Sequence, residues 1–284
     1  MQRIPLLPTF NHPTSRLGGF LHCDPAMEST PQPVSRMYIV PCMLTICSLF
    51  SGFYSIVSSF NGHFLAAAIA ILVAAVFDGL DGRVARMTGS TSTFGMELDS
   101  LCDMVAFGVA PGALAYLWAL TSYGRYGWLA GFLYVAATAL RLARFNALAI
   151  DKVKSPAASG HSDFVGLPCP AAAGMIATSV MFTNHVFKTT DTVQHITLLL
   201  LVYLLSYLMV STHRYLSFKH IDIPKEKRFH VFIGLILLLI LLATEPPITL
   251  FAATLLYIGS GPFLAIRMRR RRKQQQLARQ EERS

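Results

Sequence analysis

A series of apolar runs, each near the length needed to cross a bilayer, is the feature that most constrains this sequence. A helix needs about 20 apolar residues to span the hydrocarbon core. Because backbone in lipid must satisfy its own hydrogen bonds, and because the runs lack the period-two alternation of barrel strands, we predict helices. The fold class is therefore all-α, a polytopic transmembrane bundle of about eight spans. The runs lie near residues 38–60, 63–86, 95–119, 126–147, 168–187, 192–212, 229–244 and 247–266.

Composition excludes an ordinary soluble domain. Only 14% of the 284 residues are charged, whereas soluble domains average about 25%. The net charge of +9 raises nucleic acid as a partner, but the basic residues mostly lie beside the apolar runs. That placement fits anionic lipid head groups better. We therefore expect membrane lipids, and no nucleic acid, as partners.

The basic residues also predict the orientation of the chain. With eight spans, all but two of the 24 Lys and Arg residues fall on one side of the membrane, and the exceptions are Arg125 and Lys188. Because cytoplasmic segments are rich in Lys and Arg, both termini are predicted to be cytoplasmic. The predicted domains are a polar N-terminal tail, a membrane core of six spans, two additional C-terminal spans and a basic cytoplasmic tail. Their bounds are 1–36, 37–212, 213–267 and 268–284.

Five of the 15 acidic residues lie in or beside the second and third spans. Charges inside a bilayer are costly, so they usually mark function. Residues three or four apart share a helix face, and the loop Met87–Phe94 is short enough to bring the two helix ends together. Four of these acids should therefore converge on the cytoplasmic side. The five are Asp78, Asp81, Glu97, Asp99 and Asp103.

Converging carboxylates repel one another unless cations lie between them. Hard oxygen ligands suit Mg²⁺ or Mn²⁺, and Mg²⁺ commonly joins carboxylates to substrate phosphates. Two alternatives remain. A salt-bridge network with Arg83 and Arg86 is possible, although two arginines do not neutralise five acids. An ion transporter is the other, although its acids should be spread through the membrane depth.

The spacing of the cluster resembles the signature of the CDP-alcohol phosphatidyltransferases. Every fixed position of that signature is filled. The matching residues are Asp78, Asp81, Gly82, Ala85, Arg86, Gly95, Asp99 and Asp103.

This resemblance implies a chemistry and a set of roles. A pair of divalent ions, Mg²⁺ or Mn²⁺, would grip the diphosphate of a CDP-lipid, and CMP would leave. Asp78, Asp81 and Asp99 would be the principal metal ligands, with Asp103 as a further ligand and the candidate general base. Thr45, Gly82, Ala85, Arg86 and Gly95 would bind the CDP-lipid.

Three further segments narrow the resemblance to the bacterial phosphatidylserine synthase branch of the family. They are Pro41 to Phe53, Arg141 to Asn146 and Gly166 to Ala171. The branch implies CDP-diacylglycerol and L-serine as substrates, a homodimer, and a bacterial inner membrane with a cytoplasmic active site. One position departs from the branch, which usually has Asn where this chain has Cys42. A thiol is a weaker hydrogen-bond donor than an amide.

The candidate serine site lies at the cytoplasmic end of the fourth span. A guanidinium fork suits a carboxylate, which favours Arg141 and Arg144, with Asn146 beside them. The alternative is that these arginines only orient the chain or bind lipid head groups. Glycerol 3-phosphate or inositol phosphate remains the alternative acceptor within the same chemistry.

Overall fold

Helices account for all regular secondary structure in the computed structural model over the residues it describes, which are 39–89, 93–154, 166–186, 192–211 and 228–261. The predicted tails at 1–36 and 268–284 lie outside them. The helices are α1 (Ile39–Phe60), α2 (Phe64–Thr88), α3 (Thr93–Asp103), α4 (Ala110–Trp118), α5 (Arg125–Lys154), α6 (Cys169–Val186), α7 (Thr192–Val210), α8 (Arg228–Thr244) and α9 (Pro246–Gly261).

Four helices in the described part are long and apolar enough to cross a membrane, namely Ile39–Phe60, Phe64–Thr88, Phe94–Trp118 and Arg125–Leu148. They match the first four predicted runs and confirm a membrane-type helical architecture. Ile196–Val210 and Pro246–Gly261 are shorter apolar helices. The count of eight spans and the cytoplasmic termini stay predictions.

A π-helical turn interrupts the third span directly after Asp103, where the sequence predicts one continuous helix. Met104–Val109 forms this turn and joins α3 to α4. Pro111 has no N–H for the carbonyl of Phe107, four residues earlier. The buried Tyr134 hydroxyl of α5 donates to that carbonyl instead, over 3.1 Å. The turn therefore fixes where α3 ends, and with it the position of Asp103.

Small residues allow the helices to pack closely. A Cβ built on Gly52 of α1 would lie only 2.7 Å from the Ala106 Cα, and one on Gly108 only 3.2 Å from Thr138 Cγ2. Close backbone approach through small residues is the usual basis of helix association in lipid. Helix α6 follows the same rule, since 11 of its 18 residues are buried and seven of these are Gly, Ala, Ser, Thr or Cys; it packs against α2 and α7.

Candidate active site

Three carboxylates meet where α2 and α3 approach one another. One carboxylate oxygen from each of Asp78, Asp99 and Asp103 lies within 4.8 Å of the other two. The three side chains are half-buried, and the carboxyl groups of Asp78 and Asp103 are within hydrogen-bonding reach of each other. Asp99 and Asp103 share a face of α3 because they are four residues apart.

Asp81 lies beside this group but turns toward α1. Its side chain is only 4% exposed, and its Oδ2 accepts a 2.9 Å hydrogen bond from Thr45 Oγ1. The same hydroxyl lies 3.1 Å from the Pro41 carbonyl. A hydroxyl has one hydrogen to donate, and a charged acceptor forms the stronger bond. The Thr45 hydroxyl therefore donates to Asp81. Asp81 is not one of the three carboxylates that meet within 4.8 Å, although it remains within electrostatic range of Asp78 and Asp99.

The donor set of this cluster fits a hard divalent cation. Every ligand atom within the 4.8 Å group is a carboxylate oxygen, which is the ligand type of Mg²⁺ and Mn²⁺. Negative charges at such separations repel strongly in a partly buried site. A bound cation would offset this repulsion. The three-carboxylate group is thus the candidate metal centre.

Four of the five residues predicted to bind the CDP-lipid lie near the C-terminal end of α2 or the start of α3. A Cβ on Gly82 would lie 3.6 Å from Arg86 Nη1, so the exposed Arg86 side chain folds back over Gly82. Ala85 is in the last turn of α2, where its carbonyl accepts a bond from the N–H of Gly89, the left-handed cap. Gly95 is one turn before Asp99 on α3.

The predicted serine residues lie on α5, which extends beyond the predicted end of the fourth span. Ser100, next to Asp99 on α3, has its Oγ 3.1 Å from Asn146 Oδ1 and 3.0 Å from the Met96 carbonyl oxygen, so these two acceptors share its single hydrogen. Arg141 is half-buried, whereas Arg144 is exposed. A Cβ on Gly166, whose φ is +87°, would lie 2.7 Å from Arg141 Nη1. The structure therefore joins Asn146 to the acid-bearing helix and directs Arg141 toward the segment that precedes α6.

Sequence reasoning did not identify Ser100 as a part of the site. Its role rests on a contact between residues 46 positions apart, which helical spacing does not reveal. It also did not predict the hydrogen bond between Thr45 and Asp81, since Thr45 was expected only to bind the CDP-lipid.

The chain is similar in sequence to a known protein family and to several known proteins. A family model of CDP-alcohol phosphatidyltransferases matches residues 38–206, from the start of α1 into α7. A CDP-diacylglycerol–serine O-phosphatidyltransferase of Helicobacter pylori is 39% identical over 189 residues, covering 66% of this chain and 76% of that protein. The enzyme of the same name from Bacillus subtilis is 36% identical over 184 residues, covering 64% and 93%. An archaetidylserine synthase of Methanothermobacter thermautotrophicus is 39% identical over 146 residues, covering 51% and 58%.

Proposed function

The chain belongs to the CDP-alcohol phosphatidyltransferase family, and on that premise we propose that it transfers the phosphatidyl group of CDP-diacylglycerol to L-serine. The products are phosphatidylserine and CMP. The observation that carries this proposal is the meeting of Asp78, Asp99 and Asp103 within 4.8 Å in a chain whose relatives are named for serine transfer. It is a membrane enzyme, since four of its helices are long and apolar enough to span a bilayer.

Asp78, Asp99 and Asp103 would hold one divalent cation, Mg²⁺ or Mn²⁺. Asp81, which lies outside this group, would contribute to a second cation together with Asp78. When bound, the cations supply charge that stabilises the diphosphate and the departing CMP. Thr45 assists by holding the Asp81 carboxylate in one orientation through its 2.9 Å hydrogen bond.

Side chains of the protein bind the CDP-lipid, and one of them accepts a proton from the acceptor alcohol. Arg86 donates to a phosphate oxygen, since its planar fork of N–H groups matches phosphate geometry. Gly82 leaves room for the diphosphate beside Arg86, with Thr45, Ala85 and Gly95 around it. Asp103 takes the proton of the serine hydroxyl. That hydroxyl oxygen forms a bond to the phosphorus attached to diacylglycerol, and the bond between this phosphorus and the oxygen of CMP breaks.

Serine is held at the end of α5 in this proposal. Arg141 and Arg144 pair with its carboxylate, and Asn146 contacts its polar groups. The 3.1 Å approach of Ser100 Oγ to Asn146 Oδ1 supports this placement, because Ser100 adjoins Asp99 in sequence. A serine bound there would have its hydroxyl close to the carboxylate cluster.

The relatives named above favour serine over glycerol 3-phosphate or inositol phosphate, since two are named for transfer to serine and the third for a serine-containing product. The close grouping of the carboxylates also favours an enzyme over an ion path, in which acids would be spread through the membrane. We further propose a homodimer in a bacterial inner membrane, with the active site facing the cytoplasm. Residues 37–212 would form the catalytic core, and residues 213–267 would add two spans.

Product identification tests the assignment. Purified protein in detergent is supplied with CDP-diacylglycerol, Mg²⁺ or Mn²⁺, and labelled L-serine, and parallel reactions contain labelled glycerol 3-phosphate or inositol phosphate. Labelled phosphatidylserine and an equal amount of CMP are expected only with serine. Turnover of another alcohol without turnover of serine would reject the proposed acceptor, and no CMP release with any alcohol would reject the enzyme assignment.

A further inference from the structure

Helix α5 runs antiparallel to the chain segment that carries Asp103. The Tyr134 hydroxyl of α5 donates to the Phe107 carbonyl over 3.1 Å, and farther along α5 the Asn146 side chain meets Ser100 near the middle of α3. Rising residue numbers on α5 therefore meet falling numbers on α3. Asp103 lies between these two contacts in sequence, so Asn146 is held about one helical turn from Asp103 along α3.

The contact between Ser100 and Asn146 lies beside the proposed base. Ser100 is three residues before Asp103, so their side chains are neighbours on one face of α3. Asn146 is half-buried, and within the part of the chain that the structure describes Ser100 supplies the one hydrogen-bond contact of its amide. The other atom of this amide is therefore available to a substrate bound at Asp103.

The hydrogen of the Ser100 hydroxyl decides which amide atom that is. Its Oγ lies 3.0 Å from the Met96 carbonyl oxygen and 3.1 Å from the Asn146 amide. With Oδ1 facing Ser100, two acceptors share one hydrogen. Nδ2 and Oδ1 are nearly alike in shape, so turning the amide over changes no packing. Nδ2 then donates to Ser100, Ser100 donates to Met96, and each bond has its own hydrogen.

We propose that Ser100 is a positioning residue that holds the Asn146 amide with Oδ1 toward the acceptor substrate, where this oxygen binds the ammonium group of an amino acid. The inference rests on the proposed function and deepens it. An ammonium group has only donors and requires an acceptor, whereas a carboxylate requires donors. In this arrangement the two arginines of α5 bind the carboxylate of serine, Asn146 binds its ammonium group and Asp103 receives the hydroxyl proton.

The first test removes the Ser100 hydroxyl from the full-length chain. At saturating CDP-diacylglycerol, Ser100→Ala should raise the KM for serine about fivefold, as expected when one hydrogen bond is lost. Its kcat and its KM for CDP-diacylglycerol should stay within about twofold of the unsubstituted chain. Ser179→Ala is the matched control, because the Ser179 hydroxyl donates to the Met175 carbonyl of its own helix, as Ser100 does to Met96. An unchanged KM for serine, or equal changes in both KM values, would overturn the inference.

The second test identifies the amide atom that faces the substrate. Asn146→Asp presents an acceptor oxygen in either orientation, so the KM for serine should stay within about threefold of the unsubstituted chain. If Nδ2 instead faced the serine carboxylate, the substitution would place two negative charges together, which costs several kcal/mol. The KM for serine would then rise by about tenfold or more, and the proposed orientation would be wrong.

A double-mutant cycle tests whether Ser100 acts by orienting Asn146. Both oxygens of a carboxylate are acceptors, so Asn146→Asp needs no neighbour to select its orientation. Adding Ser100→Ala to Asn146→Asp should therefore change the serine KM by less than about twofold. An undiminished effect of Ser100→Ala would show that the hydroxyl only supports the helix, which contradicts the inference. Failure of the unsubstituted chain to use serine would instead defeat the proposed function, so the two failures are distinguishable.

Discussion

Thr45 on α1 donates a 2.9 Å hydrogen bond to the buried Asp81 carboxylate on α2. These residues are 36 positions apart, and they meet because α1 and α2 form an antiparallel hairpin around residues 61–63. A buried carboxylate needs hydrogen-bond donors to offset its lost hydration. The bond therefore links the packing of the first helix pair to an acidic residue that lies beside the candidate metal centre.

Replacing Thr45 tests this link. Thr45→Val keeps the side-chain shape but removes the donor, so the Asp81 carboxylate loses a bond to a charged group, typically about 1.5–3 kcal/mol. We expect a lower melting temperature in detergent and a raised KM for CDP-diacylglycerol. Thr45→Ser, which retains a hydroxyl, should stay close to the unsubstituted chain in both measurements. A Val variant with unaltered stability and KM would mean that the hydrogen bond contributes nothing.

Asp103 is expected to accept the proton of the serine hydroxyl. Asp103→Asn removes both the base and one negative ligand, so CMP release should fall by about 10²–10⁴-fold or more. Glu97→Gln is the matched control, because Glu97 is an exposed acid on the same helix outside the three-carboxylate group. The measurement is CMP formation by purified, correctly folded protein. Substantial activity in the Asn variant would show that another group accepts the proton.

Removal of divalent ions should abolish activity without unfolding the chain. The carboxylates of Asp78, Asp99 and Asp103 lie within 4.8 Å and require a cation to bind a diphosphate. Activity lost with EDTA should return on addition of Mg²⁺ or Mn²⁺. Asp78→Asn should raise the Mn²⁺ concentration for half-maximal activity by about tenfold or more, whereas Glu97→Gln should not. Turnover that persists after complete chelation would contradict a metal-dependent site.

Gly52 should be intolerant of even one added methyl group. A Cβ at this position would lie 2.7 Å from the Ala106 Cα, so Gly52→Ala must push α1 away from the π-helical turn. Overpacking of this kind costs about 1–3 kcal/mol and should lower the melting temperature. Gly259→Ala on α9 is the control, since nothing lies within 4 Å of a Cβ there. Equal stability of the two variants would mean that the α1 contact relaxes without cost.

Local spacing in the sequence determined the membrane helices and most of the candidate site. Apolar run length predicts a spanning helix because the bilayer has a fixed thickness, and the first four spans follow that prediction. The four-residue spacing of Asp99 and Asp103 predicts a common face, and the structure brings both together with Asp78. Helical period is a local property, so these features need no knowledge of the other helices.

Only the tertiary structure decided which neighbouring residue each side chain of the site contacts. Asp78 and Asp81 differ by about 60° around the helix axis, and the packing of α1 turns Asp81 toward Thr45 instead of into the closest group. The contact of Asn146 with Ser100 likewise joins residues that are 46 positions apart in the chain. Such pairs depend on where helices approach closely, which is set by the summed packing of small side chains across the bundle. No local pattern encodes that sum.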